Sequence, residues 1–172
     1  LDKKFKAAMM KSIAQSELDR KRFVYSDIGF ILLQQVVEAV TGKTLDAYLV
    51  SEFYRPMGLE HTLFQPLNRY KKADIMPTAA NDYLRRQDLC GYVYDEAAAF
   101  MGGVSGNAGL FSTAQELGKI YQMILNEGEL DGKRYLRPET CRIFTTEKSA
   151  VSHRGLGYDK SNLKDPKANA CA

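Results

Sequence analysis

The feature that most constrains this chain is a polar pair set directly before a long apolar run. Tyr25-Ser26-Asp27-Ile28-Gly29-Phe30 leads into Ile31-Leu32-Leu33 and Val36-Val37. Serine and aspartate cap helices well, because a side-chain oxygen accepts hydrogen bonds from the first free N–H groups. Either Ser26 or Asp27 can serve, and the pattern predicts a helix from about Asp27 to Val40. It is apolar on nearly every side, which predicts a central position for it. Gly42 supplies the left-handed residue on which helices end. Tyr25 then projects beside the positive end of that helix. A phenol in water titrates near ~10, so proton transfer near neutrality would need a cation beside the ring as well.

The rest of the chain alternates helical rhythm with punctuation. Phe5, Ala8, Met9, Ser12 and Ile13 follow the i, i+3, i+4 spacing of an amphipathic helix ending near Ser16. Lys3, Lys4, Lys6 and Lys11 should face solvent. Residues 17–22 form a charged connector, and Phe23 and Val24 should bring the chain back inside. Thr44 is placed to cap a helix running to Tyr54, with Leu45, Tyr48, Leu49 and Phe53 inward and Pro56 as its stop. Residues 62–64 read as extended and 66–74 as loop.

From Ile75 to Met101 no period persists, which predicts a long ordered excursion of the kind that carries function. A glycine-rich segment, 102–109, precedes Ser112-Thr113-Ala114-Gln115, which has the capping-box form. Leu117, Ile120, Tyr121, Ile124 and Leu125 then predict a buried stripe, closed by Gly128. Asp131-Gly132 marks a tight hairpin, and Pro138 opens a last helix reaching Phe144. One domain is expected over 1–160, with a polar tail over 161–172.

Composition removes several function classes. A net charge of +3, with no basic stripe interleaved with aromatics, argues against nucleic acid. Lys71-Lys72 and Arg85-Arg86 read as solvated face. No apolar stretch approaches the ~20 residues needed to cross a bilayer as a helix. Three well-separated cysteines and two histidines form no disulfide framework and no metal site, and no cofactor is expected. The glycine-rich segment lacks Gly-Lys-Ser/Thr, and Thr41-Gly42-Lys43-Thr44 has Val37 where a phosphate loop needs glycine. His61 and His153 are too isolated to argue for a Ser-His-Asp triad.

Tyr25-Ser26-Asp27 with Gly29-Phe30-Ile31-Leu32 resembles the Tyr-x-Asn/Asp motif of the class C β-lactamase-like serine hydrolases, a family of β-lactamases, penicillin-binding proteins, DD-peptidases and esterases. The similarity continues in Thr41-Gly42-Lys43-Thr44-Leu45, in Arg55-Pro56-Met57-Gly58-Leu59-Glu60-His61-Thr62, and from Gly102 to Ala114. These stretches stand in family order. The resemblance implies a parent fold of an α/β sheet domain joined to an all-α domain. This chain would carry mainly the helical part, with short β-hairpins.

The resemblance also implies roles. Tyr25 would be the general base of an acyl-enzyme mechanism, shuttling a proton for a Ser-x-x-Lys serine and lysine. Asp27 would stand where many relatives have asparagine, suited to pairing with the lysine. Gly102, Gly103, Ser105 and Asn107 would border the cleft and contact substrate. A β-lactam, a D-Ala peptide or an ester is the implied substrate, in the full-length protein, and relatives are mostly exported, which implies an extracytoplasmic location.

The sequence departs from the family pattern in three places. Its only Ser-x-x-Lys spacing, Ser161-Asn162-Leu163-Lys164, lies in the polar tail and follows Tyr25. The Lys/His-Thr/Ser-Gly motif expected after Gly155-Leu156-Gly157-Tyr158 is absent. Tyr94 and Asn107 stand where relatives often carry histidine. The chain alone is therefore expected to be inactive and to need flanking segments of the same protein. Helices that would pack on the sheet should expose apolar surface, open to self-association. A non-catalytic binding or regulatory module on the same fold is the alternative, and a helical interaction domain with coincidental similarity is a third.

Overall fold

The computed structural model describes residues 4–17, 24–146 and 154–160. Phe23, His153, Cys171 and the tail after Lys160 lie outside the described residues. The chain divides into two compact units, one of Leu1–Leu18 and Ser26–Leu117, the other of Asp19–Tyr25 and Gly118–Ala172.

In the first unit, α1 (Lys4–Gln15) lies on α4 (Glu96–Phe100) through a Phe5–Phe100 ring stack at 5.3 Å. Helix α2 (Ile28–Thr41) ends at Gly42 with φ 67°, as the sequence predicts. Its start differs from expectation. Ser26 Oγ accepts from the Ile28 N–H at 3.2 Å, whereas Asp27 occupies the cap position without a side-chain capping bond.

Nor is α2 central. Only Ile31 and Gln34 are buried, while Leu32, Leu33, Val36 and Val40 lie exposed, Val40 at 81%. The reason is that the first unit covers one stripe of the helix. The Val104–Gly106 segment docks on it through Gln34, whose Nε2 donates to the Val104 carbonyl (3.3 Å) and whose Oε1 accepts from the Gly106 N–H (3.1 Å). A Cβ at position 106 would overlap the Phe30 carbonyl oxygen, so glycine is required for that approach.

Helix α3 (Leu45–Leu49) continues as a wider, π-type turn over Val50–Tyr54. Leu45 and Tyr54 are buried there, and burial pushes the Tyr54 phenol up to about 12. The strand β1 (Leu63–Phe64) pairs antiparallel with β4 (Leu110–Phe111). Between them lies a hairpin that the sequence reading missed, β2 (Pro77–Asp82) with β3 (Gln87–Cys90). Its register is irregular, and Asn81 and Arg86 sit at positive φ (51° and 50°), which breaks the period-2 pattern that would have exposed it. Arg85 is not solvated face. It turns inward and holds the Asp82 carboxylate through Nε at 2.9 Å.

Helix α5 (Ala114–Leu125) begins in this unit. Thr113 caps it, accepting from the Glu116 N–H at 3.3 Å, so the capping register is one residue later than the sequence reading placed it. The predicted buried stripe is also displaced. Leu117, Tyr121 and Leu125 are exposed, and Glu116 and Met123 are the buried members.

In the second unit, Gly128 closes α5 with φ 97°, and β5 (Glu129–Leu130) pairs with β6 (Lys133–Arg134). Asp131 and Gly132 at φ 50° and 75° make the turn expected of Asp-Gly. Helix α6 (Pro138–Thr145) follows. Residues 154–160 dock on its end, where the Leu156 N–H donates to the Phe144 carbonyl at 2.8 Å and Lys160 Nζ to Thr145. Val24 is exposed and does not return the chain to a core.

Candidate functional site

The six residues singled out by sequence fall in both units. Tyr25 belongs to the second, and Asp27, Gly102, Gly103, Ser105 and Asn107 to the first. Tyr25 is 66% exposed, and the Arg154 guanidinium lies over its ring at 5.3 Å from the centroid. A cation therefore stands at the phenol, within favourable cation–π range. Arg154 is placed there by the docking of Gly155-Leu156 on α6, and its Nη2 donates to Asp159 at 2.9 Å. Nothing in the sequence reading had pointed to Arg154.

The glycine-rich loop is braced from two sides. Besides its dock on α2, it forms a polar chain leading to the start of α4. Ser105 Oγ donates to Asn107 Oδ1 at 2.7 Å, Asn107 Nδ2 donates to Asp95 Oδ1 at 3.0 Å, and that oxygen also caps α4 at the Ala98 N–H. The Ser105 hydroxyl is buried and committed to this chain. Ser105 and Asn107 nonetheless border a cavity of about 300 Å³ walled by Phe30, Leu33 and Val37 of α2.

Gly102 and Gly103 border a different and larger cavity, of about 650 Å³. Its polar walls come from Gln65, Asn68, Arg85 and Gln87, and Tyr92 and Phe111 give aromatic surface. In the sequence, only the length of the 75–101 excursion points to function. The structure thus brings Gly102 and Gly103 to one cavity and Ser105 and Asn107 to another.

A third cluster anchors the loop's far end. Glu116, 7% exposed, accepts from the Glu60 and His61 N–H groups (2.9 and 3.0 Å) and from the Thr62 hydroxyl (2.6 Å). His61 Nδ1 lies 3.1 Å from the same carboxylate, and the Ser112 hydroxyl is 2.7 Å from that of Thr62. Burial would raise the Glu116 pKa, but the bonds from Thr62, His61 and Glu60 outweigh it and hold it below the usual glutamate range. This cluster ties β1 to the start of α5, and it serves architecture.

Comparison with known proteins bears on the family and the fold. The family described as Beta-lactamase matches residues 1–162. A protein of Escherichia coli K12 named "Putative D-alanyl-D-alanine carboxypeptidase" is 38% identical over 149 residues, covering 80% of this chain and 34% of its own length. A Bacillus subtilis N-acetylmuramyl-L-alanine amidase is 36% identical over 155 residues, covering 83% of this chain and 35% of its own length. The chain thus spans about a third of the length of these curated relatives.

Among solved structures, a putative beta-lactamase from Bacteroides dorei matches with a TM-score of 0.55 at 17% identity, covering 83% of this chain and 34% of its own. The octameric penicillin-binding protein homologue from Pyrococcus abyssi matches at 0.56 and 18%, covering 83% and 31%. These likenesses show a β-lactamase/penicillin-binding-protein fold, carried here as a mainly helical portion with short strand pairs. The chain belongs to the beta-lactamase family.

Proposed function

We propose that this chain is part of a serine hydrolase that works through an acyl-enzyme, with Tyr25 as general base. The observation that carries the reading is the exposed Tyr25 phenol under the Arg154 guanidinium. A base needs access to the proton it takes, and this phenol has it. The Tyr25 oxygen would take the proton of a serine hydroxyl as its oxygen bonds the substrate carbonyl carbon, then return it to the leaving group as the scissile bond breaks. Water would repeat the sequence in deacylation.

The serine and lysine of that chemistry come, in this proposal, from flanking segments of the full-length protein. Ser105 is committed to Asn107, and the Ser161–Lys164 spacing lies outside the described residues. Asp27, an acceptor when ionised, suits the lysine ammonium. Ser105 and Asn107 border the substrate beside α2, as the cavity they line supports, whereas Gly102 and Gly103 line the other cavity. The names of the two relatives, a carboxypeptidase and an amidase, both denote amide cleavage, which favours a D-Ala peptide or β-lactam over an ester.

Fluorescent penicillin tests the reading. The full-length gene product should be labelled, Tyr25→Phe should slow labelling by roughly 10²–10⁴-fold, and the 172-residue chain alone should not label. Full-rate labelling of Tyr25→Phe would end the general-base reading. Failure of the wild-type full-length product to label or to hydrolyse any amide or ester would favour the non-catalytic module.

A further inference from the structure

The cavity beside Gly102 and Gly103 has a chemistry that the acyl-transfer reading does not use. Three of its polar wall residues, Gln65, Asn68 and Gln87, are primary amides. Each such group offers two N–H donors and a carbonyl acceptor. Two of them are held in place. Asn68 Nδ2 donates to Gln65 Oε1 at 3.0 Å, and Gln65 Nε2 donates to the Gly102 carbonyl at 2.6 Å. Gln65 itself sits in the left-handed region at φ 49°, a conformation costly for a residue with a Cβ and concentrated at functional sites. Donor and acceptor capacity remains on both amides after these bonds.

The one charged wall residue is already answered. Arg85 makes a two-pronged pair with Asp82 (2.9 and 3.2 Å) and donates to the Val93 and Tyr94 carbonyls, both at 2.6 Å. Its charge is paired and four of its five N–H donors are used within the fold, so the cavity offers a carboxylate or phosphate no unpaired cation. What it offers is neutral donors and acceptors beside the Tyr92 ring, which is 57% exposed. A volume of about 650 Å³ is that of a small-molecule site.

We infer that this cavity is a binding site for a neutral saccharide. Paired amide donors and acceptors match vicinal hydroxyls, and a flat aromatic face matches the apolar C–H face of a pyranose ring. No bond is made or broken there. The inference is independent of Tyr25 and of acyl transfer, and its test reads binding alone.

The test is titration of the chain with two uncharged trisaccharides, chitotriose and maltotriose, and with an N-acetylated dipeptide amide as the non-sugar probe, followed by NMR or calorimetry. Saturable binding of either trisaccharide in the millimolar range, unaffected by salt, is expected. Gln87→Ala and Tyr92→Ala alter exposed side chains and leave the fold intact, and each should weaken binding by about fivefold, the loss of one ordinary hydrogen bond or stack. The proposal is overturned if neither trisaccharide binds, if both variants bind like the parent chain, or if only the dipeptide amide binds.

Discussion

Helix α2 and the first turn of α5 invert the usual relation between polarity and burial. The first is the most apolar segment of the chain and is largely exposed; the second delivers a carboxylate that is nearly sealed from water. The difference lies in partners. Glu116 meets two backbone N–H groups, a hydroxyl and an imidazole nitrogen within 3.1 Å, enough to replace its hydration. On α2 only the stripe of Ile31 and Gln34 finds a surface to join, and each is 2% exposed. In this chain burial follows the availability of a matched neighbour, and hydrophobicity alone does not predict it.

The sharpest way to break that contrast is to remove the carboxylate. Glu116→Ala should cost about 3–5 kcal/mol, since two backbone N–H groups and the Thr62 hydroxyl lose a buried acceptor at once. A urea midpoint close to the parent's would show that the cluster is ornamental. Glu116→Gln keeps the shape and should cost less. Next in size, Gln34→Ala should cost about 1–3 kcal/mol, because it orphans the Gly106 N–H and the Val104 carbonyl. It should also loosen the glycine-rich loop, read as faster amide exchange over residues 104–107.

A pH titration sharpens the same point. The folded-state pKa of Glu116 lies below that of an exposed glutamate. The unfolded chain therefore binds the proton more readily, and the stabilisation is present above the unfolded value of ~4.3 and lost as pH falls through the folded one. Asp82, Glu52 and Glu127 are depressed as well and act in the same direction. The informative quantity is the difference between parent and Glu116→Gln, and it should shrink steadily on acidification. A difference independent of pH would mean that the carboxylate's charge contributes nothing.

The sequence was legible wherever a backbone conformation demands a residue type. Gly42, Gly128 and the Asp131-Gly132 turn were readable because positive φ selects glycine and its few substitutes, and Pro138 because proline suits a first helical turn. The 77–90 hairpin was not, because Arg86 at positive φ signals no turn and the irregular register hides the strand alternation on either side. Glu116 was passed over because its donors, Glu60 to Thr62, lie more than fifty residues away, and Arg85 was misjudged because only the folded hairpin turns it onto Asp82 and the Val93 and Tyr94 carbonyls. At the candidate site, Tyr25 and the loop glycines could be named from order of motifs. Arg154, more than a hundred residues away from Tyr25, and the amide-walled cavity needed the fold.

The smallest effect on stability should come from an exposed apolar position on α2. Val40→Gln changes a side chain that is 81% exposed and should shift the unfolding free energy by no more than about 0.5 kcal/mol. Its consequence lies instead between molecules. With Leu32, Leu33, Val36 and Val40 turned to solvent, α2 presents a contiguous apolar face, and such faces drive association. The parent chain should show a concentration-dependent rise in sedimentation coefficient, and Val40→Gln combined with Leu33→Gln should abolish it while the urea midpoint barely moves. If both proteins stay monomeric across the same range, the exposed face does not mediate self-association. The α2 contrast would then be one of solvation alone, with the missing neighbour costing the isolated chain nothing but exposed area.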